Sequence, residues 1–216
     1  MALNINGTTG ISGVDGSVSA PALTGTDSNT GITFPSADTI KFSTGGVERM
    51  SITNSGITGI SPGITMAQSW RLSSSFSVPN SNVFITSNLE AADSYSYGQI
   101  GSSMTESSGA FTFPSTGIYL IQFIGVHTSS SQANWSQTEI HYTENNSSYD
   151  PTAYGYANLS DGGAYQSSYC QFLFDVTDTS THKIKFGCRG SVSNTSLLGH
   201  TNQNNTTFQF TKLGDT

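Results

Sequence analysis

The sequence predicts an all-β protein, because short runs of alternating apolar and polar residues are separated by turn residues along most of the chain. Charged residues make up only 10% of the 216 residues, and glycine, serine, threonine and asparagine take their place. Aromatic residues reach 11% and hydrophobic residues 34%, which argues for a packed core rather than disorder. No segment has the apolar spacing of a helix. Many short strands with polar turns are typical of a sandwich or barrel.

Charge and hydropathy exclude two classes of partner. The net charge is −7, and the seven lysines and arginines are scattered, so the basic stripe of a nucleic-acid-binding protein is missing. No stretch approaches the roughly 20 apolar residues of a membrane-spanning helix, so we expect no membrane insertion. The first residues lack the basic start and apolar run of a secretory signal, and we therefore expect synthesis and folding in a cytoplasm.

Composition divides the chain near residue 65. Residues 1–65 contain eleven of the 23 glycines and no tyrosine or tryptophan, and their apolar residues come singly. A lone chain of this kind buries too little apolar surface to offset the entropy of ordering it. We expect an extended arm that is either flexible or ordered by other copies of the chain or a larger assembly. Residues 66–216 are expected to form a separate head.

One block of the arm predicts a β-hairpin, residues 39–53. A three-residue loop at 45–47 places all apolar side chains of the hairpin on one face, whereas a two-residue Gly-Gly loop would shift the register and mix the faces. The expected pairs are Phe42 with Met50 and Ile40 with Ile52. A single hairpin with one apolar face is not stable alone, but three around an axis would be.

The head is expected to contain frequent strands and no helix. The predicted strands are Trp70–Val78, Asn82–Ser87, Tyr95–Ile100, Gly109–Phe113, Gly117–His127, Trp135–Glu144, Tyr165–Val176, Lys183–Arg189 and Thr206–Leu213. Residues 145–169 and 193–205 are expected to be loops, because serine, glycine and asparagine dominate them. The segment 118–126 is almost continuously apolar, as in a strand that is covered on both faces.

Residues 109–123 carry the clearest family signal. Two phenylalanines alternate with polar residues, a proline and a glycine break the strand, and a long apolar strand follows. This order resembles the core signature of C1q/TNF-like jelly rolls, and the matching residues are Phe111, Pro114, Gly117, Tyr119 and Phe123. The aromatic closing strand Thr206–Leu213 is also similar to that family, although Gln209 replaces its usual glycine.

The resemblance covers about residues 66–216 and implies a jelly-roll sandwich that assembles as a homotrimer. Heads of this family display binding surfaces, so the chain is expected to be a binding protein and not an enzyme. The residues assigned by this resemblance to the core or the trimer contact are Phe111, Phe113, Tyr119, Phe208 and Phe210.

The hairpin block 39–53 and the Asn-Ser-Gly that follows it resemble a module of bacteriophage and cyanophage tail-fibre-like proteins. Together the two resemblances imply a cyanophage-type virion structural protein. Its arm would anchor to other virion proteins of the tail or capsid, and its head would bind a host-surface component, a glycan or a protein. The alternatives are a decoration protein without a receptor role and a secreted C1q-like adhesion module.

The two cysteines, Cys170 and Cys188, lie on neighbouring predicted strands. A hairpin folded about Thr179 places them opposite each other, with Phe172 opposite Phe186 on the same face. This register permits a disulfide if the pair is not hydrogen-bonded. Folding in a cytoplasm favours two buried, reduced thiols instead.

No motif predicts catalysis or a cofactor. The string Gly59–Gly63 matches a G-x-S-x-G elbow, but Pro62 follows Ser61 and has no N–H for an oxyanion hole. The four histidines are scattered and form no metal-ligand spacing. Turn carboxylates such as Asp161 could hold calcium only with help from backbone carbonyls.

The binding surface is expected in the tyrosine-rich region 145–169. Tyrosine among serine, glycine and asparagine is the composition of adaptable binding surfaces, and aromatic rings stack on sugars. The same tyrosines could instead pack between protomers, where aromatic residues are also enriched. The candidate ligand-binding residues are Trp135, Tyr149, Tyr154, Tyr156 and Tyr165.

Overall fold

The chain folds into two compact units, residues 1–62 and 63–216. The computed structural model describes residues 4–6, 10–12, 15–59 and 63–216. These residues form strands, turns and irregular segments and no α-helix. Accordingly, the described part of the chain has no helix that could cross a membrane.

The first unit is built from short antiparallel strands. Those in its described residues are β1 (Asn4–Asn6), β2 (Gly10–Ser12), β3 (Gly16–Ser17), β4 (Ala20–Pro21), β5 (Leu23–Thr24), β6 (Gly31–Thr33), β7 (Ile40–Thr44), β8 (Val47–Thr53) and β9 (Gly56–Thr58). Strands β5 to β9 form one five-stranded sheet in chain order, and β1–β2 and β3–β4 are separate pairs. The region expected to be an arm with one hairpin is thus a meander.

The hairpin β7–β8 has the predicted apolar pairs but not the predicted loop. Phe42 pairs with Met50 and Ile40 with Ile52. The turn is the two-residue Gly45-Gly46, whose φ angles of 59° and 73° suit a type I′ turn. A β-bulge restores the register that this shorter turn would lose, because Ser43 pairs with Glu48 and leaves Arg49 as the extra residue.

One face of the five-stranded sheet carries its apolar side chains. Cross-strand pairing aligns Leu23, Ile32, Ile40, Phe42, Met50, Ile52 and Ile57. None of these seven side chains is buried, and Ile57 is 59% exposed. The opposite face buries the small polar residues Thr33, Ser43 and Ser51. Among residues 15–59 this apolar sheet face is therefore not covered, and we call it the arm face.

The second unit contains the longer strands. They are β10 (Met66–Leu72), β11 (Ser74–Val78), β12 (Val83–Phe84), β13 (Leu89–Ala91), β14 (Thr105–Ser107), β15 (Ala110–Thr112), β16 (Gly117–Ser129), β17 (Ala133–Thr143), β18 (Asp150–Leu159), β19 (Tyr165–Val176), β20 (Lys183–Gly190), β21 (Thr195–His200) and β22 (Thr207–Gly214).

These strands form two antiparallel sheets. Sheet I has the order β11-β21-β16-β22-β10-β13, with β19 on the other side of β16. Sheet II has the order β14-β15-β20-β17-β18, with β12 beside the end of β20. The sheets pack face to face, because one continuous set of buried apolar side chains comes from both.

Three predictions of local structure are wrong. Residues 150–159 and 195–200 are strands and not loops, while residues 95–100 form a turn-rich segment rather than a strand. The missed strand β18 alternates tyrosine with small residues such as Gly155 and Ala157, so its inner face has only one large apolar residue, Leu159, at its end. Pairing with β17 along its length determines its conformation.

The core is a layer of aromatic rings between the sheets. Phe186 of sheet II lies 4.5 Å from Phe208 and 5.2 Å from Phe123, both of sheet I, between ring centroids. All five residues that the resemblance assigned to the core or the trimer contact are buried within one chain: Phe111, Phe113, Tyr119, Phe208 and Phe210. The Tyr119 hydroxyl donates to the Ser115 carbonyl at 3.0 Å. Each chain thus completes its own core.

The predicted hairpin between the two cysteines is wrong. Cys170 lies on β19 in sheet I and pairs with Phe123, whereas Cys188 lies on β20 in sheet II and pairs with Thr138. Both thiols are free and buried. The turn between the strands crosses from one sheet to the other. Both strands point apolar residues inward with period two, so the same sequence pattern fits a hairpin and a crossover.

A buried histidine joins the sheets at one end of the core. His127 of β16 is fully buried, and its Nδ1 lies 2.7 Å from Ser136 Oγ and its Nε2 2.7 Å from Ser168 Oγ. Ser168 continues the network to Thr138 at 2.9 Å. Burial lowers the pKa of His127 from 6.5 to about 4, so the ring is neutral at physiological pH.

We predict that His127 makes the fold less stable at mildly acidic pH. Between pH 6.5 and 4 the unfolded chain binds a proton at this histidine that the folded chain does not, so the free energy of unfolding falls as the pH falls. The pKa difference corresponds to about 3 kcal/mol. Urea unfolding across this pH range measures the loss.

The His127→Gln variant should lose this part of the pH dependence, although its overall stability will also fall. The His200→Gln variant changes an exposed histidine and is the matched control, which should retain the wild-type pH dependence. An identical pH profile for wild type and His127→Gln would contradict the assignment.

We also predict that neither cysteine reacts in the folded protein. Burial raises the pKa of Cys170 to about 11 and that of Cys188 to about 12, so little thiolate is present at pH 8. In the absence of reductant, a disulfide-exchange reagent should label neither thiol of the native protein and both thiols after denaturation. Rapid labelling of the native protein, or no labelling after denaturation, would show that this arrangement is wrong.

Candidate functional site

Most of the candidate aromatic residues lie on the outer face of sheet II. Trp135 is on β17, Tyr154 and Tyr156 are on β18, and Tyr149 precedes β18. Tyr165 differs, because it lies on β19 in sheet I and pairs with Thr128. The structure thus brings four of the five predicted residues to one surface and places the fifth on the other sheet.

The register of sheet II determines which side chains are neighbours on this surface. One row across β18, β17, β20 and β12 consists of Tyr154, Glu139, Gly187 and Phe84. A second row consists of Tyr156, Gln137 and Arg189, and His141 pairs with Lys185 in a third. We call these residues, together with Trp135 and Tyr149, the sheet II surface.

Two tyrosines form the exposed edge of this surface. The rings of Tyr154 and Tyr156 are stacked, with centroids 6.4 Å apart and planes at 23°. Tyr156 is 62% exposed. Aromatic side chains of this kind supply a large contact area at a small entropic cost, so the pair is suited to recognition.

Two cations of β20 lie over aromatic rings. The Lys185 ammonium is 4.6 Å from the ring centroid of Tyr149 and 5.1 Å from that of Phe84. The Arg189 guanidinium lies 5.4 Å from the ring centroid of Trp135. These distances are in the range of cation–π attraction, which holds the long side chains across the surface.

A buried carboxylate lies at the centre of the sheet II surface. Glu139 is only 1% exposed, and its Oε1 accepts a hydrogen bond from Gln137 Nε2 at 2.5 Å. Its Oε2 lies 2.5 Å from His141 Nε2. Buried charges are rarely left unpaired, and here both oxygens have a partner. The bonds fix the carboxylate in one orientation.

The outer face of sheet I has a different chemistry. Between the edge strand β19 and its neighbour β16 it presents the apolar side chains of Leu120, Ile124, Tyr165, Tyr169 and Leu173. Leu173 is 58% exposed. The Tyr169 hydroxyl is held by Gln122 and Gln171 at 2.8 and 2.5 Å. We call this surface the sheet I face.

The described residues contain no group of three or more histidine, cysteine, aspartate or glutamate side chains that could hold a metal ion. The turn carboxylate Asp178 accepts hydrogen bonds from the Ser180 amide and hydroxyl at 2.8 and 2.6 Å, which stabilises the crossover turn. Ser61 of the G-x-S-x-G string lies outside the described residues.

Sequence reasoning missed Phe84, Glu139, His141, Lys185 and Arg189. A local signal existed for β20, since charged residues alternate with apolar ones in Lys183-Ile-Lys-Phe. That period predicts a polar outer face on this strand. In β17 the residues 136–139 are all polar, so the sequence does not show which of them face outward or that the two strands are neighbours.

Comparisons with known proteins give the fold of the second unit. No protein-family model matches the sequence, and no curated protein is similar to it. Eiger TNF from S. frugiperda is similar in structure, with a TM-score of 0.51 and 13% identity over 71% of this chain and 95% of that chain.

Two further solved structures are less similar. Murine APRIL has a TM-score of 0.49 and 13% identity, covering 68% of this chain and 98% of its own. The PRD1 vertex protein P5 has a TM-score of 0.45 and 16% identity, covering 70% and 99%. At such identities only the fold is compared. The similarity to Eiger TNF, together with the two antiparallel sheets, confirms the predicted all-β, TNF-like jelly roll.

Proposed function

We propose that this protein is a homotrimeric structural protein of a bacteriophage virion, with a first unit that anchors to the tail or capsid and a jelly-roll head that binds a host-surface glycan. The protein has no enzymatic role in this proposal. The main observation that supports this proposal is the exposed apolar surface of the sheet I face.

Strand β16 links this face to assembly. Its sequence is apolar on both sides, as expected for a strand covered on both faces, but a single chain covers one side only. The inner residues Tyr119, Ile121 and Phe123 are fully buried, while the outer residues Leu120 and Ile124 are only half-buried. Exposed contiguous apolar surface marks interaction sites, so a second copy of the chain is the natural cover.

The arm face supports the same arrangement independently. Its seven apolar side chains lie on one side of a five-stranded sheet and are not buried within the described residues. Closed three-fold assembly of each unit would cover its own exposed face, the arm face in the first and the sheet I face in the second. Three copies would also bring three binding surfaces to one particle site, which raises avidity.

A virion location is supported by composition and by the resemblance of the hairpin block 39–53 to phage fibre modules. A chain with 10% charged residues and single apolar residues in its first unit depends on assembly for much of its burial. Small, low-charge, glycine-rich units of this kind suit a fibre in which neighbouring copies supply the missing core.

Light scattering of the purified full-length protein tests the trimer. The expected mass is three times 22.8 kDa, about 68 kDa. A monomer of 22.8 kDa would contradict an intrinsic trimer and the assembly role of both faces.

We predict that Leu173→Asp dissociates the trimer. Each copy would place a carboxylate in the apolar contact at a position that is 58% exposed in the single chain, so the monomer should still fold. Light scattering should report a shift toward the monomer mass, and circular dichroism should remain that of a β protein.

The Gln132→Asp variant adds the same charge at an exposed loop position and is the control. It should keep the trimer mass. If Leu173→Asp also keeps that mass, the sheet I face is not the contact between copies.

A further inference from the structure

A pocket lies on the sheet II surface beside the Glu139–His141 pair. In the row Tyr154–Glu139–Gly187–Phe84, the residue on β20 has no side chain, and the side chains of Glu139 and His141 reach over it. The pocket has a volume of about 160 Å³. Its lining residues are Asn82, Val83, Phe84, Glu139 and His141.

The glycine is required by close packing on this face. A Cβ at Gly187 would lie 3.2 Å from His141 Nε2 and 3.3 Å from Glu139 Oε2. These distances are tighter than most real Cβ contacts, so a side chain here would press on the Glu139–His141 pair, which lines the pocket. The glycine therefore leaves the room that the polar pair occupies.

The polar wall of the pocket consists of buried side chains that are held by hydrogen bonds. Glu139 and His141 are 1% and 7% exposed and are bound to each other at 2.5 Å. Gln137 holds the other carboxylate oxygen. His141 Nδ1 is buried and has no hydrogen-bond partner among the described residues. Native structures contain few such unsatisfied groups, and each calls for an explanation.

The opposite wall is aromatic and carries a cation. Phe84 contacts His141 edge to face, with centroids 4.9 Å apart. The Lys185 ammonium lies over the Phe84 and Tyr149 rings and makes no ion pair with the residues that the structure describes. The pocket thus combines a fixed acceptor, an amide at Asn82, an aromatic wall and a nearby donor.

We propose that this pocket binds one hexopyranose ring of a surface glycan. This assignment rests on the proposed role of the head in attachment and names the site and the ligand unit for it. A sugar presents hydroxyl donors to the Glu139 carboxylate and apolar C–H groups to the Phe84 ring. Asn82 and Lys185 supply donors to hydroxyl or ring oxygens of the same sugar.

Size and charge argue against other ligands. Sites for drug-sized molecules and nucleotides are usually at least about 300 Å³, about twice this volume. A phosphate or sulfate ion would face the Glu139 carboxylate directly, which like-charge repulsion disfavours. An apolar ligand would leave the buried His141 Nδ1 without a partner.

The stacked tyrosines extend the site along the sheet. Tyr154 pairs with Glu139 on the side away from Gly187, and Tyr156 follows on the same face. A ring bound between Glu139 and Phe84 and a further unit on Tyr154 would lie along one row of the register, with Tyr156 in the next row. This places Tyr154 and Tyr156 as contacts for a second sugar unit rather than the first.

Saturation-transfer NMR on the full-length protein tests the pocket directly. The probes are glucose, galactose, mannose, fucose, N-acetylglucosamine and glucuronic acid, added singly. We expect a signal from at least one of them. The Phe84→Leu variant keeps an apolar wall but removes the aromatic ring, and it should weaken binding of that sugar about tenfold.

Two further variants complete the design. Gly187→Val introduces a residue that favours strands but displaces the Glu139–His141 pair from its place beside the pocket, and it should abolish binding. Tyr95→Leu removes an exposed aromatic ring outside the sheet II surface and is the matched control, which should bind as wild type does.

A sugar signal that is unchanged in both Phe84→Leu and Gly187→Val would overturn the assignment, as would the absence of any signal from the six sugars. The trimer mass is measured separately. A 68 kDa trimer without a sugar signal would refute the pocket and leave the assembly proposal intact. A monomer that binds a sugar would refute the assembly proposal and leave the pocket intact.

Discussion

Burial of one aromatic layer between two sheets is the constraint on which the second unit depends. Phe111, Phe123, Phe186, Phe208 and Phe210 contact one another across the sandwich, with ring centroids 4.5 to 6.3 Å apart. In a chain with so few charges, this layer is the centre of the apolar burial that offsets chain entropy. The strands therefore point apolar side chains inward, and the side chains suited to assembly and ligand binding lie on the outer faces.

The outer faces of the two sheets differ in their side chains. Sheet I presents leucine, isoleucine and tyrosine along β16 and β19, which favours contact with another copy of the chain. Sheet II presents a carboxylate, a histidine, two cations and aromatic rings, which favours a small polar ligand. Because side chains alternate along a strand, changes on an outer face leave the inner aromatic layer intact. Assembly and recognition can therefore reside on opposite sides of one fold.

Two large polar side chains inside the fold are held by polar partners. Arg71 is fully buried, and it is bound by Glu90 and Asp93 at 3.1 and 2.6 Å, which ties the segment after β13 to the sheet. His127 is accommodated as a neutral ring between two serine hydroxyls. Register is constrained in the first unit as well. In the hairpin β7–β8, a bulge at Arg49 keeps the apolar residues on one face despite the short turn.

The sequence by itself determined the fold class and the inward residues of most strands, because period-two alternation and turn residues are local properties. It also determined the pairs Phe42–Met50 and Ile40–Ile52. Only the tertiary structure decided which sheet each strand joins. Cys170 and Cys188 have the pattern of a hairpin but lie in different sheets. The pocket is lined by residues of β12 and β17, which come together because both strands pair with β20. Pairing between strands far apart in sequence depends on the whole packed core, so no local pattern contains it.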